Sequence, residues 1–114
     1  MKKVGLLGCG NVGHIIAGKC DGFVVTAVYD MDTKRAREVA DLCGATVYSD
    51  FDGFMGSDAD IIVEAASVAA VREYAQAVLA EGKDIVVLSV GALADDELRN
   101  DIEDLAARTG RRVY

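Results

Sequence analysis

Residues 2–18 read KKVGLLGCGNVGHIIAG. A short apolar run, Val4 to Leu7, enters Gly8-Cys9-Gly10-Asn11-Val12-Gly13, a G-x-G-x-x-G pattern. From Val12 to about Cys20 the spacing predicts a helix with Val12, Ile15 and Ile16 on one face. Glycines spaced in this way also make ordinary tight turns, so the pattern by itself is weak. Its setting says more, because the first glycine closes a strand and the third sits in the first turn of a helix. In that setting Gly8 permits the sharp turn and Gly10 lets backbone approach a pyrophosphate with no Cβ in the way. Gly13 lets helix and strand pack closely, and the free N–H groups at the helix start face the anion. Dinucleotide binding also requires an acidic residue about 20 positions on, at the end of the next strand. The run FVVTAVYD, residues 23–30, ends in Asp30.

Asp30 is expected to accept hydrogen bonds from the adenosine ribose hydroxyls, and its charge repels a 2′-phosphate, which favours NAD. Lys34, Arg35 and Arg37 follow closely. Either one of them swings over a 2′-phosphate, which keeps NADP open, or they form a solvated helix face. Cys9 reads as a tolerated middle position of the turn, since no second Cys or His is placed by sequence to activate it. His14 lies at the pyrophosphate end, away from hydride transfer, so it is not assigned a catalytic role.

Along the rest of the chain short apolar runs alternate with longer amphipathic stretches, the mark of βαβ units on a doubly wound parallel sheet with helices on both faces. Strands are predicted over Phe23 to Tyr29, Thr46 to Tyr48, Asp60 to Glu64 and Ile85 to Leu88, with Val113 and Tyr114 opening a last strand that stops at once. Asp32 caps a helix through Cys43 with Ala36, Val39, Ala40 and Cys43 inward and Gly44 as its left-handed stop. The stretch after Tyr48, rich in Asp, Gly and Phe, reads as irregular. A helix from about Val68 to Ala80 carries Val68, Val71, Ala75, Val78 and Leu79 at helical spacing and ends at Gly82. The last helix, Ala94 to Arg108, has Asp95, Asp96 and Glu97 against its positive end, Leu98, Ile102 and Leu105 inward, and Gly110 to close it.

With 114 residues, just over half of them apolar, the chain has the size of one domain, residues 1–114. A formal charge of −7 without a basic run points away from nucleic acid and anionic lipid. The apolar run after Met1 is too short for a signal segment or a membrane span. Three cysteines, Cys9, Cys20 and Cys43, lack zinc or disulfide spacing. A cytoplasmic location is therefore expected. Beyond the ends of the fourth and fifth strands, Glu64-Ala65-Ala66-Ser67 and Ser89-Val90-Gly91-Ala92 should line the nicotinamide end, with small side chains leaving room and the two serine hydroxyls offering donors. The same residues would also make tight strand-to-helix turns.

The string VEAASVAAVREYAQAVLAEGKDIVVLSVGALAD, residues 63–95, taken with GLLGCGNVG and the closing TGRRVY, resembles the N-terminal domain of the L-aspartate dehydrogenase family. The likeness runs over essentially the whole chain. It implies a Rossmann fold, a three-layer α/β/α domain with its last strand truncated, and NAD(P)-dependent oxidation of L-aspartate to iminoaspartate. That product hydrolyses to oxaloacetate or feeds NAD biosynthesis. By the family pattern Gly8, Gly10, Asn11, Val12 and Gly13 carry the phosphates, Asp30 the adenosine ribose, and Ala65, Ala66, Ser67, Ser89 and Gly91 the nicotinamide side. Family members are about twice this length, so the resemblance implies that the C-terminal catalytic domain, with its histidine, is absent and that the chain binds cofactor without turnover. A homo-oligomer is expected, by pairing along an exposed sheet edge or apolar patch. A non-catalytic dinucleotide-sensing module would explain the glycine loop and Asp30 but not the EAAS and LSVGA segments.

Overall fold

The computed structural model describes residues 2–8, 22–89, 91 and 94–114. The helix expected from Val12 to Cys20 lies outside the described residues, as do Cys9, Gly10, Asn11, Gly13 and His14 of the glycine motif. The strands are β1 (Lys2–Leu7), β2 (Phe23–Tyr29), β3 (Thr46–Tyr48), β4 (Ile61–Glu64) and β5 (Asp84–Val87). All pair in parallel in the order β3-β2-β1-β4-β5. The chain runs outward from β1 through β2 to β3 and then returns to β4 on β1's other flank, so the strand order reverses between β1 and β4. In doubly wound sheets that reversal opens a crevice beyond the carboxyl ends.

Both sheet faces carry helices, which is why β1 and β2 read as continuous apolar runs rather than alternating ones. On one face Val4, Leu6, Val25 and Val28 pack under Ala36, Val39 and Ala40 of helix α1 (Thr33–Cys43). On the other, Leu7, Ala27, Ile62, Ile85 and Val87 meet α3 (Val68–Ala80) through Val71, Ala75, Val78 and Leu79, and α4 (Asp96–Thr109) through Leu98 and Ile102. Of the residues expected to face inward, Val68 is exposed because it is the first residue after the cap, and Cys43 and Leu105 are half-buried. The β1–β2 register shifts between Val4 and Gly5, with Val25 and then Ala27 as partners, so Thr26 is the extra residue of a bulge.

Helix ends follow local chemistry. Asp32 accepts from the Lys34 and Arg35 N–H groups, and Gly44 stops α1 at φ 72°. Asp95 caps α4 by accepting from Leu98 N–H and also meets Arg72 of α3 at 2.9 Å. Those two partners, the Leu98 amide first, hold its carboxyl below the usual range. The expected last strand is seated beside β5, where the Ile85 N–H donates to Arg112 O and the Val87 N–H to Tyr114 O, around a parallel bridge between Ile85 and Val113.

The segment read as irregular is a short helix, α2 (Phe51–Met55). Asp50 caps it, its carboxylate accepting from Gly53 N–H at 2.6 Å. Gly53 gives it poor helix propensity, so burial of Phe54 and Met55 is what holds it. Phe54 lies over Gly5 of β1, where an added Cβ would come within 3.0 Å of the ring and 2.7 Å of Ile62 Cδ1. A ring without exposed area in this position predicts that Phe54→Ala lowers unfolding stability by ~3–5 kcal/mol in urea denaturation.

Candidate functional site

Strand hydrogen bonding continues past the strands' carboxyl ends. The Gly8 N–H donates to Tyr29 O at 2.8 Å, Ala65 N–H to Leu7 O at 2.9 Å, and Leu88 N–H to Glu64 O at 3.1 Å. Strands β2, β1, β4 and β5 thus deliver their next residues side by side. Gly8 has φ +99°, and a Cβ there would lie 2.7 Å from the Ala66 backbone and 2.5 Å from its Cβ. Both conformation and space demand glycine at this point. No such demand exists at Gly91, whose added Cβ would make an ordinary 3.6 Å contact with Val68.

Beyond these ends lies a cleft of about 160 Å³, walled by Gly8, Asp30, Met31, Ala66, Ser67 and Ala70 and floored by Tyr29 and Tyr74. The structure therefore brings Gly8, Asp30, Ala66 and Ser67 together, although 58 positions separate Gly8 from Ala66 in the sequence. Asp30 Oδ1 accepts from Asp32 N–H at 2.8 Å, which fixes the carboxylate at the end of β2. Lys34, Arg35 and Arg37 do not line the cleft; all three are exposed, and Arg35 pairs with Asp32 at 3.6 Å. In this structure the three form a solvated helix face.

The two serines expected as donors differ. Ser67 caps α3, accepting from Ala70 N–H at 3.1 Å, and so keeps its own proton to give. Ser89 donates its hydroxyl proton to Glu64 Oε2 at 2.7 Å and is left an acceptor. By sequence Glu64 is only part of the EAAS segment lining the nicotinamide end, with no role of its own assigned to it. The available signal was a carboxylate ending the strand IIVE, with no basic residue near it in sequence. It has no exposed area.

Under the cleft, Phe51 stacks on Tyr74 with ring centroids 4.2 Å apart, and Tyr29 meets Tyr74 edge-on at 6.2 Å. A hydrogen bond with Tyr29, and then burial, push the Tyr74 phenol up to about 12. Among the described residues no His, Cys, Asp and Glu cluster could hold a metal, and no helix is long and apolar enough to cross a membrane.

Because the folded phenol lies above the ordinary tyrosine value of ~10, its hydrogen bond contributes stability that is intact below that pH. The contribution is lost as the pH rises through about 12. Tyrosinate absorbance is expected to show a late step near pH 12 that Tyr74→Phe removes.

Residues 4–114 match the family model described as the homoserine dehydrogenase NAD-binding domain. An L-aspartate dehydrogenase of Methanospirillum hungatei is 51% identical over the whole chain, and one of Methanocaldococcus jannaschii 40%. The chain spans 45% of the length of each. In fold it is similar to the WlbA dehydrogenase of Bordetella pertussis, solved with NADH and UDP-GlcNAcA, at a TM-score of 0.88 and 19% identity. That superposition covers 98% of this chain and 35% of the other.

Proposed function

The chain belongs to the homoserine dehydrogenase NAD-binding domain family, and from that premise we propose that it is the cofactor-holding half of an L-aspartate dehydrogenase. Gly8, Gly10, Asn11, Val12 and Gly13 would hold the pyrophosphate and Asp30 the adenosine ribose. Ala65, Ala66, Ser67, Ser89 and Gly91 would border the nicotinamide. The close approach of Gly8 to Ala66 beside Asp30 is the observation that carries this reading, because it opens a cleft at the strand-order reversal with a carboxylate at its rim. Among the described residues no basic side chain lines that cleft, which supports NAD over NADP.

Bound nicotinamide supplies the hydride-accepting carbon. The proposed net reaction takes a hydride from the L-aspartate Cα and a proton from its nitrogen to give iminoaspartate, which water converts to oxaloacetate and ammonia. This chain's part is to bind and orient. None of its residues is assigned to proton transfer, and the substrate carboxylates and catalytic base are proposed to belong to the portion of the relatives' length that this chain does not span. Residues 1–114 then act as one cofactor-binding domain. Copies of it are also inferred to associate, supported by an apolar groove that Phe23, Ile61, Val63, Val86 and Leu88 line on one sheet face.

Calorimetric titration tests the binding claim. NAD is expected to bind more tightly than NADP, and Asp30→Ala to weaken NAD by ~1–3 kcal/mol, the scale of hydrogen bonds to a charged group. Unchanged NAD affinity in that variant removes Asp30 from the site. Adding L-aspartate to the chain with NAD is expected to yield no NADH absorbance. Light scattering that reports a monomer at high concentration contradicts the association.

A further inference from the structure

Glu64 ends β4 with its carboxylate inside the protein and no exposed area. Four hydrogens point at its two oxygens. Oε1 accepts from Leu88 N–H at 3.1 Å, a hydrogen that amide shares with Glu64 O, and from Ser89 N–H at 2.8 Å, while Oε2 accepts from Ala66 N–H at 2.9 Å and the Ser89 hydroxyl at 2.7 Å. A carboxylate offers about four lone-pair sites, so this one is saturated. Three of its partners are backbone amides, which can only donate. A buried charged group answered so fully does more than fill space, since an apolar side chain would close the same gap without orienting anything. What it orients are the turns after β4 and β5, the two segments that border the nicotinamide side in the reading above.

We propose that Glu64 is a positioning residue that locks these turns together and sets the direction of the Ser89 hydroxyl, so that Ser89 faces the cofactor as an acceptor for the carboxamide N–H of nicotinamide. The hydroxyl has one proton, and Glu64 holds it. Only lone pairs remain for a ligand. A carboxamide meets that demand, whereas a carboxylate in the same place sets lone pairs against lone pairs. Glu64→Gln reverses the polarity: with its oxygen kept toward the Leu88 and Ser89 amides, its NH₂ faces Ala66 N–H and donates to Ser89 Oγ. The Ser89 proton is then turned outward.

The inference rests on the dinucleotide reading, and three ligands separate the two in calorimetric titration. NAD carries the carboxamide, nicotinic acid adenine dinucleotide carries a carboxylate in its place, and ADP-ribose carries neither. Wild-type protein is expected to prefer NAD to the carboxylate analogue. That preference shrinks about tenfold, the worth of one hydrogen bond, in both Glu64→Gln and Ser89→Ala. ADP-ribose affinity stays within about twofold in both. Ser89→Ala keeps the three amide bonds to Glu64, so it decides the matter by itself if Glu64→Gln does not fold. No preference in the wild type, an unchanged preference in Ser89→Ala, or equal weakening of all three ligands overturns the proposal. Wild-type protein that binds none of the three overturns the dinucleotide reading on which it stands.

Discussion

Everything at the carboxyl end of the sheet depends on how closely β1 and β4 come together where they finish. A Cβ at Gly8 would lie 2.7 Å from the Ala66 backbone, so the turn after β1 and the turn after β4 share one surface only because Gly8 lacks a side chain. The approach in turn requires the ladder bonds that carry Gly8 and Ala65 one step past their strands. Widening it by even a methyl group separates the walls of the cleft.

The rest of the fold holds that junction rigid from both sides. Parallel strands cannot be joined by hairpins, so each must be reached by a crossing segment, and those segments put apolar helices against both faces. Helix α1 secures the β2 side through Val39 and Ala40, and α3 secures the β4 side through Val71 and Ala75. Between them α2 sets Phe54 over Gly5, filling the room that a glycine inside a strand leaves. The phenols of Tyr29 and Tyr74 close the cleft floor with a hydrogen bond rather than with bulk alone.

Chemically the site separates two pairs of groups that look alike in composition. Asp30 offers a carboxylate at the rim, while Glu64 has its carboxylate consumed inside. Ser67 keeps a proton to donate, while Ser89 has given its own away. A dinucleotide-binding domain needs such distinctions more than it needs reactive groups, because its task is to hold one reactive carbon in place. The family it belongs to and the cleft at the strand-order reversal are in accord on that task.

Much of this was legible before any coordinates. The alternation of apolar runs with helical spacing, the cap Asp32, and the stops at Gly44 and Gly110 are short-range features, set by neighbours within a few residues, and among the described residues the elements they predict agree with those observed to within a residue or two at their ends. Asp30 at the end of FVVTAVYD is equally local. The α2 helix was not legible, since Gly53 argues against it and only the distant Gly5 and Ile62 make room for Phe54. Nor could the sequence assign opposite polarities to Ser67 and Ser89: one is decided by an amide three residues on, the other by Glu64, 25 residues back. The sequence by itself determined the residues of the five strands, of the helices α1, α3 and α4, and of the acidic end of β2. Tertiary structure alone decided which protons those residues have left to offer, because that depends on what the fold places across from them.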